Sequence, residues 1–131
     1  MSRYRLPADD LEYAALSMLW ELGTASVRAL HERLGAPAGR VYTTTAKVVD
    51  RLREKGLITR ERVAGGFVYT PAVDRQDVER ARARQLMARF LGATPHAAVA
   101  TLVDAVGEID PVLLEELERA IHAKRSRQDG T

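Results

Sequence analysis

The sequence predicts a mainly α-helical fold interrupted by one small β-hairpin. Three observations predict it. Apolar residues recur at helical spacing over three successive segments between Asp9 and Lys55. The pattern then shortens to two strand-like runs on either side of Gly65-Gly66. Beyond Pro71, helix start signals return at Asp74, Thr94-Pro95 and Asp110-Pro111.

The first helix is expected from about Asp9 to Leu22. Asp9 or Asp10 can accept from the free amides of the first turn, and Leu11, Ala15, Met18, Leu19 and Leu22 form a buried stripe that Gly23 ends. A short second helix starts at Ser26, turns Val27, Leu30 and Leu34 inward and stops at Gly35. The third is expected from about Ala38 to Lys55, with Thr45, Val48, Val49 and Leu52 inward and Gly56 at its end. Leu57 to Val63 and Phe67 to Thr70 read as antiparallel strands, because glycines between them supply the positive φ of a tight hairpin. Pro71 has no N–H and is expected to break the ladder. Three helices and a hairpin, in that order, make a winged helix-turn-helix.

Asp74 is the expected cap of a fourth helix reaching about Leu91, with Asp77 in its first turn. Thr94 is the expected N-cap of a fifth, with Pro95 at its first position and Gly107 closing it. A sixth opens at Asp110-Pro111, and the chain from about Lys124 is expected to be polar and frayed. Three short amphipathic helices bury little by themselves. Leu86, Phe90, Val99, Leu102, Val103, Val106, Leu114, Leu117 and Ile121 are therefore expected to pack on a second copy, the alternative being a monomer folded back on the N-terminal part. The expected organisation is a DNA-binding domain over 1–73, a helical dimerisation domain over 74–124 and a polar tail over 125–131.

Composition narrows the function. The absence of cysteine excludes disulfides, thiolate metal sites and cysteine nucleophiles. No apolar run approaches the roughly 18 residues of a membrane span, and Met1–Asp10 is too polar for a secretory leader, so a cytoplasmic protein with no membrane partner is expected. His31, His96 and His122 lie far apart with no carboxylate at metal spacing, and read as surface or cap residues. No nucleophile–base pair, paired acids or phosphate loop occurs, so no catalytic residue, metal or cofactor is expected. Trp20 reads as core. Net charge is only +2, but residues 38–62 hold seven basic and three acidic groups. Such a patch suits a polyanion, or is an ordinary solvated surface.

The third helix decides between these. With its inner face apolar, Thr43, Thr44, Ala46 and Lys47 point outward in the N-terminal half, the part that meets base edges in helix-turn-helix proteins. Threonine offers a donor, an acceptor and a methyl for thymine, and lysine reaches guanine or phosphate. Three consecutive threonines are also poor helix formers, a local cost that fits a functional face. Arg40, Arg51, Arg60 and Arg62 are candidate phosphate contacts; Tyr42 is either a fifth or a core ring. The wing tip, Ala64-Gly65-Gly66, can enter the minor groove or lie along the backbone, and has no side-chain reader of its own. The competing reading is a winged helix that docks proteins and not DNA.

Leu11-Glu12, Leu19-Trp20-Glu21, Ser26-Val27-Arg28, Val41-Tyr42-Thr43-Thr44, Arg51-Leu52-Arg53-Glu54-Lys55-Gly56-Leu57-Ile58 and Tyr69-Thr70-Pro71, in this order, resemble the BlaI/MecI penicillinase-repressor family over about residues 8–122. The resemblance implies a homodimer that binds dyad-symmetric operator DNA and represses transcription, with base contacts mapping to Thr43, Thr44, Ala46 and Lys47. It also implies a sensor protease as a further partner. Three departures stand out. The family often has an apolar residue at the place of Thr45 and threonine at that of Lys47, which implies a different operator. The wing lacks the family's common arginine. The Asn-Phe bond cut in penicillinase repressors falls by position at Thr101-Leu102. The copper-sensing branch uses Cys-x-Cys motifs, which this chain lacks.

Overall fold

The computed structural model describes residues 3–130. Met1 and Ser2, in the stretch read as no leader, and Thr131, at the end of the expected tail, lie outside the described residues. The chain forms two compact units, the first ending at Ala83 and the second beginning at Arg84.

In the first unit, α1 spans Asp10–Leu22. Asp9 is its N-cap, the carboxylate accepting from the Glu12 N–H at 2.8 Å, and Gly23 closes it at φ 82. The buried stripe is turned relative to expectation: Glu12, Ala15, Leu16 and Leu19 are buried, while Leu11, Met18 and Leu22 are only partly so. Ser26 caps α2, Val27–Leu30, by accepting from the Ala29 N–H. Gly35 does not stop this element. The chain continues through a π turn, His31–Gly35, and a 3₁₀ turn, Ala36–Ala38, before Gly39 turns left-handed at φ 75. Consequently α3 begins at Tyr42, later than Ala38, and runs to Glu54. Its buried residues are Thr45, Val48, Val49 and Leu52, as the periodicity predicts.

Strands β1, Ile58–Val63, and β2, Gly66–Pro71, form an antiparallel hairpin around Ala64-Gly65. Pro71 does not break the ladder: it pairs with Ile58 as the last strand residue, where no donor is required, and the Ala72 N–H donates to the Leu57 carbonyl at 2.9 Å. The other edge of β2 is occupied as well. Ala25 and Tyr69 exchange two backbone hydrogen bonds, of 3.0 and 2.8 Å, a one-residue third strand that the sequence pattern does not announce. Leu16, Leu19, Leu30, Val49, Leu52, Leu57 and Val78 meet in one core with no exposed surface.

Helix α4 spans Arg75–Leu91, and its first turns belong to this unit. Val78 enters the core, and polar contacts from Tyr13 to Glu79 and Arg82 fasten α4 to α1. The Tyr13 hydroxyl donates to Glu79 at 3.1 Å, and Arg75 donates to the same carboxylate oxygen at 3.0 Å. The Arg82 guanidinium lies 3.8 Å from the Tyr13 ring centroid. Trp20 is half-buried at the core's edge, its indole N–H donating to the Val73 carbonyl at 3.1 Å.

In the second unit, α5 spans Pro95–Ile109 and α6 Val112–Asp129. Thr94 is the N-cap by backbone position, but its hydroxyl makes no cap bond. Gly107 does not close α5. It lies inside the helix, where a Cβ would come within 3.0 Å of Leu114, so its role is to let α6 approach. Asp110 caps the start of α6 by accepting from the Val112 N–H at 3.0 Å. The polar stretch from Lys124 is helical through Asp129, not frayed. Among the described residues no single helix is long and apolar enough to cross a membrane.

Candidate nucleic-acid interface

The core fixes which face of α3 looks outward. With Thr45, Val48, Val49 and Leu52 buried, Thr43 and Lys47 are exposed, and Thr44 and Ala46 are half-buried on the flanks. One exposed residue shares this outer stripe without having been read as part of it. Asp50 stands three residues beyond Lys47 and seven beyond Thr43, and a carboxylate can accept from a cytosine amino group.

The start of α3 is held from below. The Thr45 hydroxyl and His31 Nδ1 are 2.8 Å apart, and the His31 ring meets Tyr42 edge-on with centroids 5.5 Å apart. Both approach Gly35 so closely that a Cβ there would lie 2.3 Å from His31 Nδ1 and 2.4 Å from Thr45 Oγ1. Of Tyr42's two readings the core one fails, since the side chain is 49 % exposed and rests on His31. His31, read as a surface or cap residue, is the C-cap of α2, and its ring also wedges that helix against α3.

The expected cations lie just before α3, in its C-terminal half and on β1. Arg40 is exposed just before α3, its N–H donating to the Gly35 carbonyl at 2.9 Å. The Arg51 side chain is half-exposed, and its guanidinium reaches back to 3.8 Å from Glu12 Oε2. On the hairpin, Arg60 and Arg62 share the Phe67 ring, at 4.1 and 5.2 Å from its centroid. Cation–π contact holds both guanidinia beside the strand at little cost to their hydrogen-bonding edges. Gly65 and Gly66 have φ of 92 and 147, and a Cβ on either would point into open space, so their requirement is conformational.

Between hairpin and helices lies an open cleft of about 500 Å³, lined by Ser26, Arg28, Tyr42, Gly66 and Phe67 among others. Arg28 and Phe67 were not singled out in the sequence. Arg28 is one exposed arginine among many, and Phe67 appeared only as a strand former. Glu12 was also overlooked, although Asp9-x-x-Glu12 has the spacing of a capping box. Its side chain is 2 % exposed and bonded to Lys55.

In the second unit no residue from Arg84 to Gly130 is buried. Leu102, Val106, Leu114 and Leu117 are half-buried between α5 and α6, whereas Leu86, Phe90, Val99, Val103 and Ile121 are exposed. Thr101-Leu102 lies in mid-α5, the Thr101 hydroxyl bonded to the Ala97 carbonyl at 3.1 Å. Among the described residues no three His, Cys, Asp or Glu side chains gather to hold a metal.

The family model described as Penicillinase repressor matches residues 9–123. No curated protein matches the chain significantly. Among solved structures the chain is similar to a MarR family protein from Bacillus stearothermophilus, 22% identical with a TM-score of 0.46, the match covering 92% of this chain and 76% of that one. A mutant of ZitR from Lactococcus lactis is 14% identical with a TM-score of 0.40, over 97% and 78% of the two chains.

Proposed function

The chain belongs to the penicillinase repressor family, and from that premise we propose that this DNA-binding transcriptional regulator is a homodimeric repressor of a dyad-symmetric operator. The family is one of transcriptional regulators and not of enzymes. The observation that carries the finer reading is the outer face of α3, where Thr43 and Lys47 project beside half-buried Thr44 and Ala46; Arg40, Tyr42, Arg51, Arg60 and Arg62 are its candidate phosphate contacts.

In this reading residues 1–73 bind DNA and the helices over 74–124 associate. One α3 from each copy enters a major groove, so the half-sites lie about one helical turn, or a multiple, apart. Thr44 and Lys47 read bases, whereas the arginines hold phosphates and set register. Self-association is supported by the second unit's apolar residues, which the described chain leaves uncovered. Release by a sensor protease follows the family, but the bond at the family's position is Thr101-Leu102, so such a protease would need a different specificity.

Titration of the intergenic DNA upstream of its own gene against random DNA, at physiological salt with footprinting, tests the reading. A protected two-fold symmetric site bound far more tightly than random DNA is expected. Thr44→Ala and Lys47→Ala should each weaken operator binding by about 1–3 kcal/mol, more than they weaken binding to random DNA; equal losses on both would remove these residues from base reading. Retention of a protein partner with no DNA retardation even at low salt would overturn the reading in favour of a protein-docking module.

A further inference from the structure

Glu12 is a buried acid that the DNA-binding reading does not use. It lies on α1, outside the recognition helix, with its side chain 2 % exposed. Its Oε1 accepts from the Ala8 N–H at 3.2 Å and from the Lys55 ammonium, and its Oε2 faces the Arg51 guanidinium at 3.8 Å. One buried carboxylate is therefore shared by two cations spaced i, i+4 at the C-terminal end of α3. The two differ in exposure. The Lys55 side chain is 13 % exposed and committed to the fold, while that of Arg51 is 48 % exposed, with most of its donors still open.

We propose that Glu12 is a positioning residue for DNA recognition: from beneath α3 it aims Arg51 at a backbone phosphate and so fixes the register in which Thr43, Thr44 and Lys47 meet the bases. This inference rests on the operator-binding reading above. Physically, an unrestrained arginine loses rotamer freedom when it grips a phosphate, and a carboxylate behind it removes part of that cost beforehand. Guanidinium suits this double role because its planar fork has five donors, some for the acid and the rest for the phosphate. The 3.8 Å separation is loose enough for the arginine to tilt outward without losing its guide. Lysine, a single point charge, cannot bridge the two.

A role in positioning differs from mere anchoring in its salt dependence. Removing the carboxylate charge strengthens the attraction of α3 for any phosphate while it loosens the aim of Arg51. Glu12→Gln, which keeps an acceptor for Ala8 and Lys55, should therefore lower operator affinity on the order of tenfold while affinity for random DNA holds or rises. Its log–log salt slope on the operator should flatten by up to about 0.9, the counterion that a well-aimed Arg51 releases from its phosphate. Arg51→Lys, a change at a half-exposed side chain, should keep the slope and lose operator preference to a similar degree. In the double variant Glu12→Gln with Arg51→Ala, the loss of preference should be no greater than in Arg51→Ala alone.

The full-length protein, titrated on operator and random duplexes over a salt series, gives all three readouts. Equal weakening on both duplexes with an unchanged slope would overturn the proposal and reduce Glu12 to a fold anchor. So would wild-type operator preference in Arg51→Lys, which remains informative even if Glu12→Gln does not fold. Failure of the wild-type protein to prefer any duplex would instead count against the operator reading.

Discussion

Gly35 shows how much one residue's role depends on what surrounds it. In sequence it looks like a helix stop, a role that asks for positive φ. In the fold it is right-handed, with φ −77, and what requires glycine is the closeness of His31 and Thr45. Gly39 carries the left-handed turn. Gly35→Ala should therefore act by overpacking and cost about 1–3 kcal/mol, read as a lower urea midpoint with unchanged m. A gain of up to about 1 kcal/mol, the helix-propensity change alone, would mean the neighbours move aside freely. The substitution should also disturb operator binding, since His31 and Thr45 seat the first turn of α3. The threonine run divides on the same logic: Thr45 is buried and bonded to His31, while Thr43 is exposed and makes no packing contribution to offset its helix cost.

At the scale of elements, the attachment of α4 to α1 is an exposed polar latch over a buried apolar pin, Val78. The hydrogen bond from Arg75, and then that from Tyr13, holds the Glu79 carboxyl below the usual carboxylate range. A carboxyl so lowered stabilises the fold above its unfolded value, roughly pH 4.3, and the contribution is lost as acid protonates it in the folded state. The latch should thus be complete at neutral pH and loosen only in acid below about pH 4.3. Trp20 is the reporter, because Arg75 lies 5.7 Å from its ring and its indole N–H bonds Val73. Its emission should shift in that acid range in the wild-type protein and not in Glu79→Gln; the same shift in both would assign it to another group. No part of this latch was legible in the sequence. Tyr13 and Trp20, neighbours on α1, lie far along the chain from Glu79, and only the packing of α4 joins them. Legible elements were those with a local cause: the Asp9 and Ser26 caps, the inward face of α3 and the Gly65-Gly66 turn. The misplaced ones depended on partners elsewhere. Gly107 sits in mid-helix because Leu114 needs the room, Pro71 is tolerated at a strand end, and the Ala25 bridge exists only because β2 passes beside it. The candidate site divides in the same way. Its threonines, lysine and arginines were found by type and spacing, whereas Glu12 and Phe67, which hold those arginines, act through distant contacts.

For the whole molecule, the contrast between the two units bears on self-association. Among the described residues the first unit holds every buried one; from Arg84 to Gly130 there is none. Phe90 is 42 % exposed, Val99 50 % and Ile121 47 %. Helices with so little buried surface do not stay folded unaided, and in the proposed dimer the second copy covers these faces. Folding of the second unit is then linked to association, and its stability follows protein concentration by mass action. Each tenfold dilution should cost about 1.4 kcal/mol of dimer stability, so the helical signal should melt at lower temperature as the sample is diluted. Val103→Asp puts a charge on an exposed position of α5. It should shift the sedimenting species from twice 14.5 kDa toward the monomer. Operator affinity should fall with it by about 10²–10⁴, the advantage of joining two readers, while binding to an isolated half-site is retained. A dilution-independent melt together with a 14.5 kDa species at micromolar concentration would show that the second unit is folded without a second copy. The two-fold symmetry of the operator would then have to come from two monomers meeting on the DNA.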